Sequence, residues 1–175
     1  MERFESGSSV IYCDDSHFPV VISTWIGSAT LDNSQSYLTW MDAQLQRATR
    51  EQVQLITISD STDAKRPPPE VRRLFVDWIN QHEDTGGDSL VVITNALVRG
   101  ALTAIGWLAP SAQKVNTVKD MDVALAKARG LLAERGLKVP GTLFPERYVR
   151  PGQDVARKIV RTNSEAAAMM TSSSR

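Results

Sequence analysis

One cysteine, two histidines and no uninterrupted apolar run of membrane-spanning length set the first limits on this 175-residue chain. With Cys13 alone there is no intramolecular disulfide framework, which suits a reducing compartment. The lack of a long apolar run excludes a transmembrane helix. The opening MERFESGSSV places no basic flank ahead of an apolar core and does not read as a secretory signal. Charge of one sign is missing as well. Twenty Lys and Arg face twenty Asp and Glu, so the overall balance carries no nucleic-acid or membrane signature. The expectation is a soluble cytoplasmic protein with no cofactor, no nucleic-acid partner and no membrane insertion.

What is present supports one folded unit. A hydrophobic content of 42% is ample for a packed core without metal or disulfide support. Val10–Cys13 reads as a first strand, residues 14–17 as a polar turn, and Pro19–Ile26 as an antiparallel return. Asp32 or Asn33 is expected to cap a helix running to about Arg50, with Leu38, Met41, Leu45 and Ala48 on its apolar stripe. Residues 53–58 alternate as a third strand, and 59–68 read as a loop. Pro68 or Pro69 then opens a helix whose face is Val71, Leu74, Phe75, Trp78 and Ile79.

Ser89–Leu108 is the most telling stretch. It combines a buried strand, a hinge at Thr94-Asn95 and a helix rich in small residues, Gly100, Ala101, Ala104 and Gly106. A short strand near 114–118 and a helix capped by Asp120 follow. The buried face of that helix is Met121, Ala124, Leu125, Ala128 and Leu132, and Gly136 stands in the C′ position. The domain is expected to span 1–136. Residues 137–175 read as a Pro/Gly-punctuated tail of net charge +4, with a short basic helix near 154–168 and a disordered end. The expected order is β-β-α-β-α-β-α-β-α, one mixed, mainly parallel sheet flanked by helices.

With that order and the helix Val98-Arg99-Gly100-Ala101-Leu102-Thr103-Ala104-Ile105 in place, residues 8–136 resemble the bacterial STAS/SEC14-like (SpoIIAA-like) domains. The resemblance implies a STAS-like open sandwich working without catalysis, as a regulatory or scaffolding module that binds a protein partner. Regulatory members carry a phosphorylatable Ser or Thr after the central strand; the corresponding position here holds Ser59-Asp60-Ser61-Thr62. The family's Asp-Ser-Ser-Gly run is absent and Pro67-Pro68-Pro69 stands in place of its glycine. Modification is therefore assigned to Ser61 or Thr62 by position alone.

Chemistry-bearing clusters are few. Cys13, Asp14, Asp15 and His17 lack zinc-site spacing and read as a polar turn, so no metal site is expected. Ser61, Asp60 and His82 form no local triad, so no catalytic residues are assigned; His82 is expected to be exposed at a helix end. Arg99, near Asn95 at the carboxyl end of a buried strand, is the clearest anion-binding candidate. The alternative for Arg99 is an ion pair with Asp60 or Asp77. Trp78 and Trp107 read as core, whereas Trp40 with Tyr37 is either an exposed interface anchor or packed on the sheet. The partner surface is drawn through Asp60, Ser61, Thr62, Arg66, Asn95 and Arg99, with the tail fastening a homodimer or a second partner. The alternative functions are a binder of lipid or an anionic metabolite beside the 95–108 helix and, last, a hydrolase assembled only in three dimensions.

Overall fold

A computed structural model describes residues 1–82, 87–94, 100 and 115–152. In chain order its elements are β1 (Glu2–Ser6), β2 (Ser9–His17), β3 (Val20–Gly27), α1 (Leu31–Glu51), β4 (Leu55–Ala64), α2 (Pro69–Gln81), β5 (Gly87–Val92), β6 (Val115–Val118) and α3 (Met121–Glu134). A 3-10 turn at Gly141–Leu143 follows. The six strands lie in one sheet in chain order; β1 to β3 pair antiparallel, and β3 to β6 pair parallel. This is a mixed α/β fold.

Side-chain alternation divides the core into two layers. Val20, Ile22, Ile56, Ile58, Leu90 and Val92 face α3, which presents Ala124, Leu125, Ala128 and Leu132. Ile11, Cys13, Val21 and Leu55 face the opposite side, under α1 and α2. Buried on both faces, the central strands carry near-continuous apolar runs. The crossovers β3–α1–β4 and β4–α2–β5 move the same way across the sheet, so a shared hand puts both helices on one face. The Trp78 indole N–H donates to Asp42 Oδ1 at 2.7 Å and ties α2 to α1.

Local chemistry accounts for the element ends, with several corrections to the sequence expectation. Thr30, not Asp32 or Asn33, caps α1, and the Asn33 side chain completes a capping box by accepting from the Thr30 N–H. Asp120 caps α3 as expected, accepting from Val123 N at 2.8 Å, and Gly136 takes φ +66 just beyond the helix. Residues 14–17 are not a turn: β2 runs through His17, and the chain reverses at a cis Phe18–Pro19 peptide. Nor is 59–64 a loop. β4 continues to Ala64 because β3 pairs with it as far as Gly27. Gly27 (φ +79) needs to be glycine, since a Cβ there would stand 2.5 Å from the Ser8 carbonyl oxygen. β1 is an additional strand. The helix expected from 95 to 108, with Trp107, and the basic helix near 154–168 fall outside the described residues, apart from Gly100.

The chain stays packed on the core beyond Gly136. Leu143 is fully buried in the α3-side layer, joined by Leu137, Val139 and Tyr148. Arg129 of α3 donates to the Leu143 carbonyl at 2.8 Å and stacks over Phe144. Residues 137–152 thus form a strap along this face of the sheet, and this part of the segment expected as a tail beyond the domain contributes side chains to the core.

Candidate functional site

The strap crosses polar positions in the carboxyl-terminal halves of β3 and β4. Thr24 and Asp60 are register partners there, and both are almost completely buried, at 1% exposure each. A carboxylate so placed is very costly unless paired. Arg150 supplies the pair: its Nε donates to Asp60 Oδ2 at 2.5 Å, and its Nη1 donates to Asp63 Oδ2 at 2.6 Å. The other Asp60 oxygen accepts from Thr62 N at 3.0 Å. Burial works against the Arg150 charge, but Asp60 and Asp63 more than offset it and raise the guanidinium above its ordinary range.

Tyr148 lies over the same cluster. Burial pushes its hydroxyl up to about 12. Thr24 is a hydroxyl neighbour that favours the ionised form, yet Tyr148 Oη and Thr24 Oγ1 do not close a hydrogen bond that meets normal geometry. Arg150 Nη2 is likewise buried without a partner among the described residues. Three buried polar atoms without partners among the described residues thus belong to Asp60's register partner Thr24, its electrostatic neighbour Tyr148 and its ion-pair partner Arg150. Gly152 ends the strap at φ +74, where a Cβ would meet Ile26 Cδ1 and Tyr12 Cε2 at 2.6 Å.

At the other end of the strap, the Thr142 hydroxyl lies 2.8 Å from His17 Nδ1, and His17 Nε2 lies 3.4 Å from Asp14 Oδ2. The hydrogen bond from His17 is the main reason that Asp14 is held well below the usual carboxylate range; the Ser16 hydroxyl and backbone N–H add to it. Acid, imidazole and hydroxyl in line is the order of a nucleophilic triad. Here Ser16 Oγ also competes for both ring nitrogens, at 3.4 and 3.5 Å, and the acid contact is long. The arrangement works as a pin that holds the start of the strap to the β2–β3 corner.

The residues singled out from sequence are placed unevenly. Asp60, Ser61 and Thr62 adjoin on β4, but Asp60 and Ser61 are buried, leaving Thr62 as the solvent-exposed hydroxyl. Arg66 and Lys65 are exposed just past β4. Asp60 pairs with Arg150; Arg99, for which a pair with Asp60 or Asp77 is the alternative from sequence, lies outside the described residues, as does Asn95. His82 is not fully exposed. It stacks on Trp78 at 4.4 Å, its Nδ1 lies 2.8 Å from the Trp78 carbonyl, and Asp42 is 3.3 Å from its Nε2. Tyr37 and Trp40 are buried under the sheet at 7% and 5% exposure and are no interface anchors. Ser61, Asp60 and His82 do not come together: His82 is held at the α1–α2 contact.

Cys13 and His17 do not converge on a metal either. Cys13 is in the α1-side core, and burial pushes its thiol up. Among the described residues no group of three His, Cys, Asp or Glu side chains is placed to hold a metal ion, and no helix is long and apolar enough to cross a membrane. Sequence reading missed Thr24, Thr142, Tyr148 and Arg150. The available signal was a buried-type acid, Asp60, within a polar run that alternation makes part of a strand, and apolar Leu143 and Tyr148 set among the prolines. Compared with known proteins, the sequence matches no family model and no curated protein.

Proposed function

We propose that this protein is a cytoplasmic, non-catalytic regulatory or scaffolding module of the STAS/SEC14-like kind that holds a protein partner at the carboxyl ends of β3 and β4. The observation that carries this reading is the Arg150 fork on Asp60 and Asp63. In open α/β sheets the carboxyl ends of parallel strands receive ligands. In this chain that end already holds extended polypeptide, through a buried acid and a basic side chain. The group best suited to bind a charged small molecule is thereby committed to a peptide segment.

The open rim of the same end carries Thr62, Lys65 and Arg66, a small basic and hydroxyl-bearing surface suited to an acidic partner. A second reading, a small polar ligand, is favoured by one observation: Thr24 Oγ1, Tyr148 Oη and Arg150 Nη2 are buried without partners among the described residues.

Affinity capture from host lysate separates the two. The protein-binding reading predicts one specific protein recovered by the full chain and lost with a Thr62→Glu, Arg66→Glu variant of unchanged melting temperature. Equal recovery by both forms overturns the surface. A small molecule co-purifying with both, and lost with Tyr148→Phe, replaces the first reading with the second.

A further inference from the structure

We propose that β1 is a homodimer edge, pairing antiparallel with β1 of a second copy about a twofold axis through Phe4, so that two sheets join into one. Among the described residues β1 pairs with β2 alone and forms one border of the sheet. Which of its backbone groups remain free follows from the hairpin. Ser6 and Ser9 flank a two-residue turn whose first residue, Gly7, has φ +60, the pattern of a type II′ turn. Such a turn is closed by a hydrogen-bonded pair, and hydrogen-bonded pairs alternate along an antiparallel ladder. Ser6, Phe4 and Glu2 therefore direct their N–H and C=O toward β2. Arg3 and Glu5 direct theirs outward.

The side chains on those two residues select the partner. Exposed sheet edges normally carry charge that repels another strand. Here the charges are opposite in sign and two residues apart, with Arg3 Nη2 and Glu5 Oε2 2.6 Å from each other and both side chains at least half exposed. In an antiparallel twofold pairing centred on Phe4, Arg3 stands opposite Glu5 of the second copy, and Glu5 opposite Arg3. These are also the residues with free backbone groups, so each such pair exchanges both of its main-chain hydrogen bonds. Directly opposed unlike charges on one face stabilise the pairing, whereas like charges oppose it.

Competing registers fail on one count or the other. A shift that pairs Arg3 with Phe4 sets an outward group against one already bonded to β2. Centring on Arg3 or on Glu5 matches the free groups but puts like charges opposite each other on the axis. The strand is thus self-complementary in one register only. Phe4, half-buried against the α1-side core, meets its own copy on the axis and extends that apolar layer across the junction.

Sedimentation and light scattering on the full chain test this. The wild type is expected to reach twice its 19.3 kDa chain mass. Arg3→Glu and Glu5→Arg, each alone, place like charges at every cross-strand pair and are expected to be monomeric. An equimolar mixture of the two single variants restores both unlike pairs and is expected to give a heterodimer, resolved by native mass spectrometry from either homodimer. Glu5→Pro, which removes an outward N–H that β2 does not use, is expected to abolish dimers with the thermal transition retained. A wild type that stays monomeric at millimolar concentration overturns the proposal. So does a dimer indifferent to these changes, which then uses another face, or a failure of the mixed variants to associate, which breaks the register. Binding of the edge by an extended peptide of a different protein, with no self-association, overturns it as well.

Discussion

Asp60 and Arg150 form the most deeply buried ion pair among the described residues. Removing one member of a buried pair leaves an uncompensated charge, at a cost of about 3 kcal/mol or more. Arg150→Ala is therefore expected to lower stability by about 3 kcal/mol in urea unfolding. Asp60→Asn combined with Arg150→Met is expected to recover much of that loss, because no lone buried charge then remains. Asp14 gives a pH signature. Its folded carboxyl titrates below the unfolded value, through His17 first and Ser16 second. Its stabilisation is therefore complete above the unfolded carboxylate range and is lost as pH falls from about 4 toward the lower folded value. Melting temperatures between about pH 5 and 2 are expected to fall less steeply for Asp14→Asn than for the wild type. At this scale the sequence was only partly legible. The Thr30 cap was hidden by Asp32 and Asn33, both strong cap formers, and only the geometry shows Asn33 acting as the third helical residue of a capping box.

Helices were the most legible elements. The α3 face follows the 3.6-residue period, and on α2 Val71, Leu74, Phe75 and Trp78 turn inward as expected, with Val76 buried outside the expected face; Pro69 and Asp120 mark the helix starts. Strands misled where polar residues lie inside the sheet. Residues 59–64 carry turn-forming side chains, yet continued pairing with β3 holds them extended, and the strap covers the polar face that would otherwise face water. β1 escaped notice because Phe4 alone supplies its apolar side. The strap itself lacks period and is rich in proline, so nothing local announces it; its place depends on Leu143 and Arg150 finding the core from far along the chain. A chain ending at residue 136 leaves the α3-side layer without Leu143 and leaves Asp60 unpaired. It is expected to aggregate or unfold at least 10 °C below a chain ending at 152, as removing contacts worth several kcal/mol does in a domain of this size. Equal melting of the two truncated chains would show that the strap adds nothing to the fold.

On the scale of the whole molecule, one sheet carries two unlike layers. The α1–α2 side is closed by aromatic packing of Trp25, Tyr37 and Phe75, with ring centroids 4.7 to 6.0 Å apart. The α3 side is completed by the strap, which buries the Arg150–Asp60 pair in the carboxyl-terminal half of β4, while Arg135 pairs with Asp88 at the amino end of β5. The proposed partner surface is the rim at the carboxyl end of β4, where Thr62, Lys65 and Arg66 remain in solvent while Asp60 is held inside. Hydrogen exchange of the full chain, alone and with the captured partner, tests this most directly. Binding is predicted to slow exchange across residues 62–69 and to leave the strap at 143–152 as protected as before. Slowing confined to the outer faces of α1 and α2, with residues 62–69 unchanged, would contradict the account.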